Sequence, residues 1–197
     1  MEIYAGIKTF YAKNRKTWRS WLEKNNDKEK SVWLIIYRKD TAKKSVNYAE
    51  AVEEALCFGW IDSKANKRDE ESFYQFFTRR NLNSNWSRVN KERVTKLIDD
   101  RLMTSRGLET IELAKRNGTW TALDKIENLE LPIDLKKALK QNAEAAKYFD
   151  AFPRSVKKGI LEWIQNAKKE ETREKRIKET VSLALKNIRA NQYTPKK

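Results

Sequence analysis

Residues 73–96 hold the densest mixture of functional groups in this chain. Phe73, Tyr74, Phe76, Phe77 and Trp86 are interleaved with Arg79, Arg80, Arg88, Lys91, Arg93 and Lys96. Asn81, Asn83, Ser84, Asn85 and Ser87 add hydrogen-bonding groups just before an expected helix start. Aromatic rings stack on nucleobases, while arginines and helix N-termini hold phosphates. The pattern therefore predicts a nucleic-acid or anion site built from Tyr74, Phe76, Arg79, Arg80, Ser84, Trp86, Ser87, Arg88 and Lys91. The same residues also allow plain packing, in which Ser84 or Ser87 caps the helix, Trp86 points inward and the arginines stand in water. A second basic patch, Lys168, Lys169, Arg173 and Arg176, lies in "KKEETREKRIK" (168–178). It reads equally as a solvated helix laced with ion pairs.

Catalytic chemistry is less well served. The chain has no histidine and one cysteine. That removes Ser-His-Asp and Cys-His catalysis, histidine-ligated metals, cysteine-cluster zinc and any internal disulfide. Cys57 falls in the last turn of an expected helix, about 180° from its apolar stripe, with Glu53 and Glu54 one turn before it. A helix C-terminus and two carboxylates disfavour thiolate, so a packing role is expected. An enzyme without histidine could draw on Asp62, Arg79 and Tyr74, with Asp62 paired to Lys64 or Arg79. No cofactor and no metal are expected.

The elements that position these groups follow from periodicity. Trp18, Trp21 and Leu22 mark a helix over 15–25 with Asn14 as N-cap. "SVWLIIYRK" (31–39) reads as a strand covered on both faces. Asn47 and Glu50 form a capping box, Val46 and Ala51 a hydrophobic staple, and Gly59 with Trp60 the stop and clasp of the helix between them. Residues 60–66 and 72–79 read as two strands. The second is aromatic on both faces, which suits either a binding face or a central strand between two helical layers. Helices are expected at 87–101 (burying Val94, Leu97 and Ile98), 106–116 (Leu108, Ile111, Leu113), 133–140 and 143–150. Two more follow at 154–167 (Val156, Ile160, Trp163, Ile164) and 170–190 (Ile177, Val181, Ala184, Leu185, Ile188). The closing "YTPKK" reads as a frayed end.

Four blocks, "EALCFGWIDS" (54–63), "FTRRNLNSNWSRVNKERVTKLI" (77–98), "MTSRGLETIELAKRNGTW" (103–120) and "ILEWIQNAKKEETREKRIKETV" (160–181), resemble the YdeI/OmpD-associated, or bacteriocin-protection, family. The resemblance implies an α+β N-terminal part with a helical tail, and a role in bacterial stress or antimicrobial-peptide tolerance. It implies no catalytic residue.

The totals agree with a fold of this kind. Five glycines and three prolines among 197 residues are too few for a many-stranded barrel or sandwich. The expected architecture is α+β: a small, mainly antiparallel sheet packed with helices over 1–125, then a helical domain over 126–197. The net charge of +15 is spread along the whole chain and favours polyanionic partners: nucleic acid first, an acidic protein second. No apolar segment is long enough to span a bilayer, and the N-terminus has no apolar core of a signal peptide, so the expected location is the cytoplasm.

Overall fold

The computed structural model describes residues 2–192, and the "YTPKK" end lies outside them. The chain forms two compact units, Met1–Thr121 and Ala122–Lys197.

The first unit is built on a five-stranded sheet. Its strands are β1 (Ile3–Tyr4), β2 (Ile7–Tyr11), β3 (Ser31–Tyr37), β4 (Trp60–Lys67) and β5 (Ser72–Arg79), in the spatial order β1-β2-β3-β5-β4. All neighbouring pairs are antiparallel except β2 and β3. That parallel pair is bridged by helix α1 (Arg15–Asn25), because parallel strands need a long crossover. The β1–β2 hairpin escapes the periodicity reading. Two and five residues are too few to alternate convincingly, and its turn is Ala5-Gly6 rather than Asn-Gly. Both turn residues nevertheless take positive φ, 48° and 75°, as a tight hairpin turn requires.

Three more helices complete this unit: α2 (Tyr48–Cys57), α3 (Arg88–Asp99) and α4 (Ser105–Arg116). Each starts on a side-chain cap, Asn47, Ser87 and Thr104 respectively, and Asn47 with Glu50 forms the full reciprocal box. The four helices share one core with a single face of the sheet. That core holds Val32, Leu34 and Ile36 of β3 and Phe77 of β5, with Trp18, Leu22, Val52, Leu56 and Trp60. The α3 and α4 stripes are narrower than their periodicity suggests: Ile98 and Leu108 are exposed.

Cys57 is fully buried, in keeping with its expected packing role: α4 crosses the end of α2 and covers the side opposite its apolar stripe. Gly107 permits that crossing: a Cβ there would stand 2.3 Å from the Cys57 carbonyl oxygen. The same carbonyl accepts hydrogen bonds from the Thr104 amide (3.1 Å) and hydroxyl (2.6 Å). Gly59, at φ 73°, then turns the chain into β4, where the Trp60 indole N–H donates to Asn26 Oδ1 at 2.6 Å.

The second unit is helical: α5 (Asp124–Glu127), α6 (Ile133–Lys140), α7 (Ala143–Ala151), α8 (Arg154–Gln165) and α9 (Glu170–Leu185). Its core gathers Leu135, Leu139, Phe149, Phe152, Ile160, Leu161, Ile164 and Ile177. Helix α9 ends earlier than expected, so Leu185 and Ile188 are exposed, and Thr180 and Ala184 fill the inner face. Trp163 is only partly buried, since Arg176 lies on its ring at 5.0 Å.

Candidate functional site

The second face of the sheet is the unexpected feature. Strand β5 has helices of its unit on one side only, so it is not the middle of two helical layers. Strand alternation sends Trp33, Ile35, Tyr74 and Phe76 to the far side, where β3 and β5 pair Trp33 with Phe76 and Ile35 with Tyr74. Tyr4, Ile7, Tyr11 and Tyr37 extend this layer. Tyr4 stacks on Tyr74 with centroids 4.2 Å apart and meets Trp33 edge-on at 5.1 Å. Phe76 lies 4.7 Å from Trp33, and Tyr11 meets Tyr37 edge-on at 5.8 Å.

Cations lie on the rings where helices would otherwise pack. Lys43 Nζ is 5.0 Å from the Tyr11 ring and 4.9 Å from that of Tyr37. Lys64 Nζ lies 5.5 Å from Trp33 and 5.9 Å from Phe76, and the Arg68 guanidinium 5.9 Å from Tyr74. Such placements exploit the negative face of an aromatic ring. An open groove of 420 Å³ runs along this face, lined by Glu2, Thr9, Phe10, Tyr11, Ile35, Tyr37, Lys43 and Arg68. Glu2 accepts hydrogen bonds from the Tyr74 hydroxyl and from Arg68, and these two donors hold its carboxyl below the usual range. The Tyr37 hydroxyl raises the Lys43 ammonium above its ordinary value.

Only Tyr74 and Phe76, of the nine residues singled out between 74 and 91, belong to this face. Arg79 pairs in register with Trp60, so it points to the helical side. Arg80 is not solvated; it is 7% exposed, and its guanidinium lies 3.9 Å over the buried Trp86 ring. Its Nη2 donates to the Asn85 carbonyl at 2.6 Å, which ties down the Asn/Ser-rich turn. Its Nε and Nη1 are buried and make no hydrogen bond among the described residues, and burial brings its pKa down to about 10. Ser87 accepts from the Asn90 amide as N-cap of α3, while Ser84 offers its carbonyl to Arg80 at 3.5 Å. Lys91 donates to the Trp120 carbonyl, and Arg88 is exposed. The turn is thus held from inside by Arg80 and Trp86.

These positions divide the trio Asp62, Arg79 and Tyr74. Asp62 pairs with Phe77 and faces the helices, whereas Tyr74, three residues along β5, faces away. The partner of Asp62 is neither Lys64 nor Arg79 but Tyr48, whose hydroxyl donates at 2.7 Å. Burial and then Asp62 push that phenol up to about 12. Burial, reinforced by Glu54, pushes the Cys57 thiol up to about 11. Among the described residues no cluster of three or more potential ligands could hold a metal ion.

In the second unit, half of the expected basic patch is engaged. Arg173 grips Asp134 with two hydrogen bonds (2.6 and 3.0 Å), and Arg176 donates to the Trp163 carbonyl. Lys168 and Lys169 are exposed.

Residues 128–187 match the family described as Bacteriocin-protection, YdeI or OmpD-Associated. Over these residues, which lie within the second unit, the chain is similar to the YdeI/OmpD-associated family. Residues 10–110 match a different model, a domain of unknown function, DUF8412. The family resemblance therefore rests on the last block, 160–181, while 54–63 and 77–98 fall in the DUF8412 domain. No curated protein and no solved structure gives a significant match.

The residues that sequence reasoning passed over are those of the open sheet face: Glu2, Tyr4, Tyr11, Trp33, Tyr37, Lys43, Lys64 and Arg68. One signal was present. Reading "SVWLIIY" as two interleaved sets separates Val32, Leu34 and Ile36 from Trp33, Ile35 and Tyr37, and only the second set is aromatic-rich.

Proposed function

We propose that this protein binds single-stranded nucleic acid across the open face of its N-terminal sheet. One observation carries the reading: Lys43, Lys64 and Arg68 lie over a continuous aromatic layer that, among the described residues, no helix of its unit covers. Tyrosine rings offer stacking surfaces to bases, and the cations beside them meet the backbone phosphates. The groove lined by Tyr11, Tyr37, Lys43 and Arg68 gives a strand a place to lie. The role is binding, without catalysis, in the cytoplasm, and it supports the tolerance to antimicrobial stress that the family description suggests.

The test is a fluorescence-anisotropy titration of labelled single-stranded DNA and RNA against the full chain over a salt series. The logarithm of the affinity is expected to fall linearly with the logarithm of salt concentration. Stacking on an aromatic residue is worth about 1–3 kcal/mol per base, so a Tyr11→Ala/Tyr37→Ala double variant should bind at least tenfold more weakly. No retention at low ionic strength would rule out the ligand. Equal affinity of the double variant would rule out the face.

A further inference from the structure

The second unit carries a groove that its helical packing does not explain. It has a volume of 800 Å³, within the range of formed ligand sites, and opens between the segment 125–137 and helices α8 and α9. Ile126 and Leu161 form its buried apolar base. Leu131, Pro132 and Ile133 continue it outward, and Ile133 is 86% exposed at the start of α6. An isoleucine so exposed at a groove edge, next to other apolar groups, is an uncovered contact rather than part of a core.

The charges at the groove are unequal in what they leave free. Asp134 and Arg173 neutralise each other through their two hydrogen bonds, and that pairing holds the Asp134 carboxyl below its usual range. Lys125 and Lys137 remain against the single carboxylate of Glu130. A cationic rim around an apolar floor complements a ligand of the opposite pattern. A purely polar polyanion would leave Ile133 and Leu131 uncovered, and a purely apolar ligand would leave the lysines unanswered.

We infer that this groove docks a short acidic–apolar peptide segment of a partner protein, with an aliphatic or aromatic side chain against Ile126, Leu131 and Ile133 and carboxylates toward Lys125 and Lys137. The site is separate from the sheet face and stands whether or not that face binds nucleic acid.

The experiment uses the full-length protein and three labelled peptides in a polarisation assay: one alternating leucine and glutamate, one alternating serine and glutamate, one alternating leucine and lysine. The leucine–glutamate peptide should bind, and the other two should bind at least tenfold more weakly. Ile133→Glu and Lys125→Glu/Lys137→Glu change exposed or rim positions and should each weaken that binding at least tenfold, with melting temperature unchanged. Glu130→Gln should leave it the same or tighter. Equal binding of the serine–glutamate peptide would reduce the site to bulk charge and overturn the proposal. So would binding that the Ile133 and lysine variants leave unchanged, or no binding by the leucine–glutamate peptide.

Discussion

The two faces of the N-terminal sheet are made by the same strands and finished in opposite ways. On one face Val32, Leu34, Ile36 and Phe77 join Trp60 of β4 and meet the buried side chains of four helices, Trp18 among them. On the other, Trp33, Ile35 and Tyr74 meet tyrosines, and the tyrosines meet Lys43, Lys64 and Arg68. Both faces exclude water from their centres: Trp33 is as buried as Trp18, within 1%. They differ in what stands above that first layer. Helices supply apolar stripes, which demand a complete fit. Tyrosine hydroxyls and ammonium groups supply tips that water or a ligand can satisfy equally. Burial of a strand face is thus compatible with its being a working surface, provided that its outer layer is amphipathic.

The largest break in this contrast should come from Trp18→Ala. Trp18 stacks on Trp21 at 5.2 Å, meets Phe77 at 5.3 Å and donates its indole N–H to the Ala51 carbonyl at 3.0 Å. Truncating a core tryptophan costs about 3–5 kcal/mol, and this one links α1, α2 and the sheet. Chemical denaturation should show the N-terminal unit destabilised by that amount. A loss below about 1 kcal/mol would mean that the helical face repacks easily and that the two faces are more alike than their chemistry suggests.

A smaller effect should appear at alkaline pH, and it should come from the helical face. Burial and then Glu54 disfavour the thiolate and push the Cys57 thiol up to about 11 in the fold, from an ordinary 9.0. A thiol raised in this way contributes stability that is complete below the unfolded value and is lost as pH rises through the folded one. Stability should therefore fall between about pH 9 and 11, by on the order of 2 kcal/mol for this group. Tyr48, raised from 10.0 to about 12 by burial and Asp62, extends the decline upward. Urea midpoints measured across that window test this, with Cys57→Ala as the control that removes the lower part of the slope. An unchanged slope in that variant would assign the decline to other groups.

Much of this architecture was legible before any coordinate. Caps at Asn14, Asn47 and Ser87, strands β3, β4 and β5, and nearly every helix follow from local chemistry that tertiary contacts do not override. The site was not legible to the same degree. Its groups come from five places far apart in sequence: the 2–11 hairpin, β3, the loop at Lys43, the 64–68 segment and β5. Only strand register brings them together. The clustered signal at 79–91 was real chemistry used locally, with Arg80 and Trp86 bracing a turn. Proximity in sequence marked that brace, while the open face was assembled by pairing β3 with β5 and β2 with β3, which no short window contains.

The finest test of the contrast is Tyr37→Ala on the open face. Tyr37 is half-buried, meets Tyr11 edge-on at 5.8 Å and carries Lys43 on its ring. Its backbone amide donates to the Ser45 hydroxyl at 2.9 Å, a bond that survives truncation of the side chain. An edge-to-face pair contributes about 0.5–1.5 kcal/mol beyond its area, and an exposed cation–π contact about 0.5–1 kcal/mol. Water can enter where the ring stood, so the net loss should stay under about 1.5 kcal/mol by the same urea measurement, well short of the Trp18 value. Lys43 loses the Tyr37 phenol, the larger of the two that raise it, and keeps its place over the Tyr11 ring. Affinity for single strands should fall in the same variant although the fold persists. A stability loss as large as that of Trp18→Ala would make the tyrosine layer a second core, closed to any ligand.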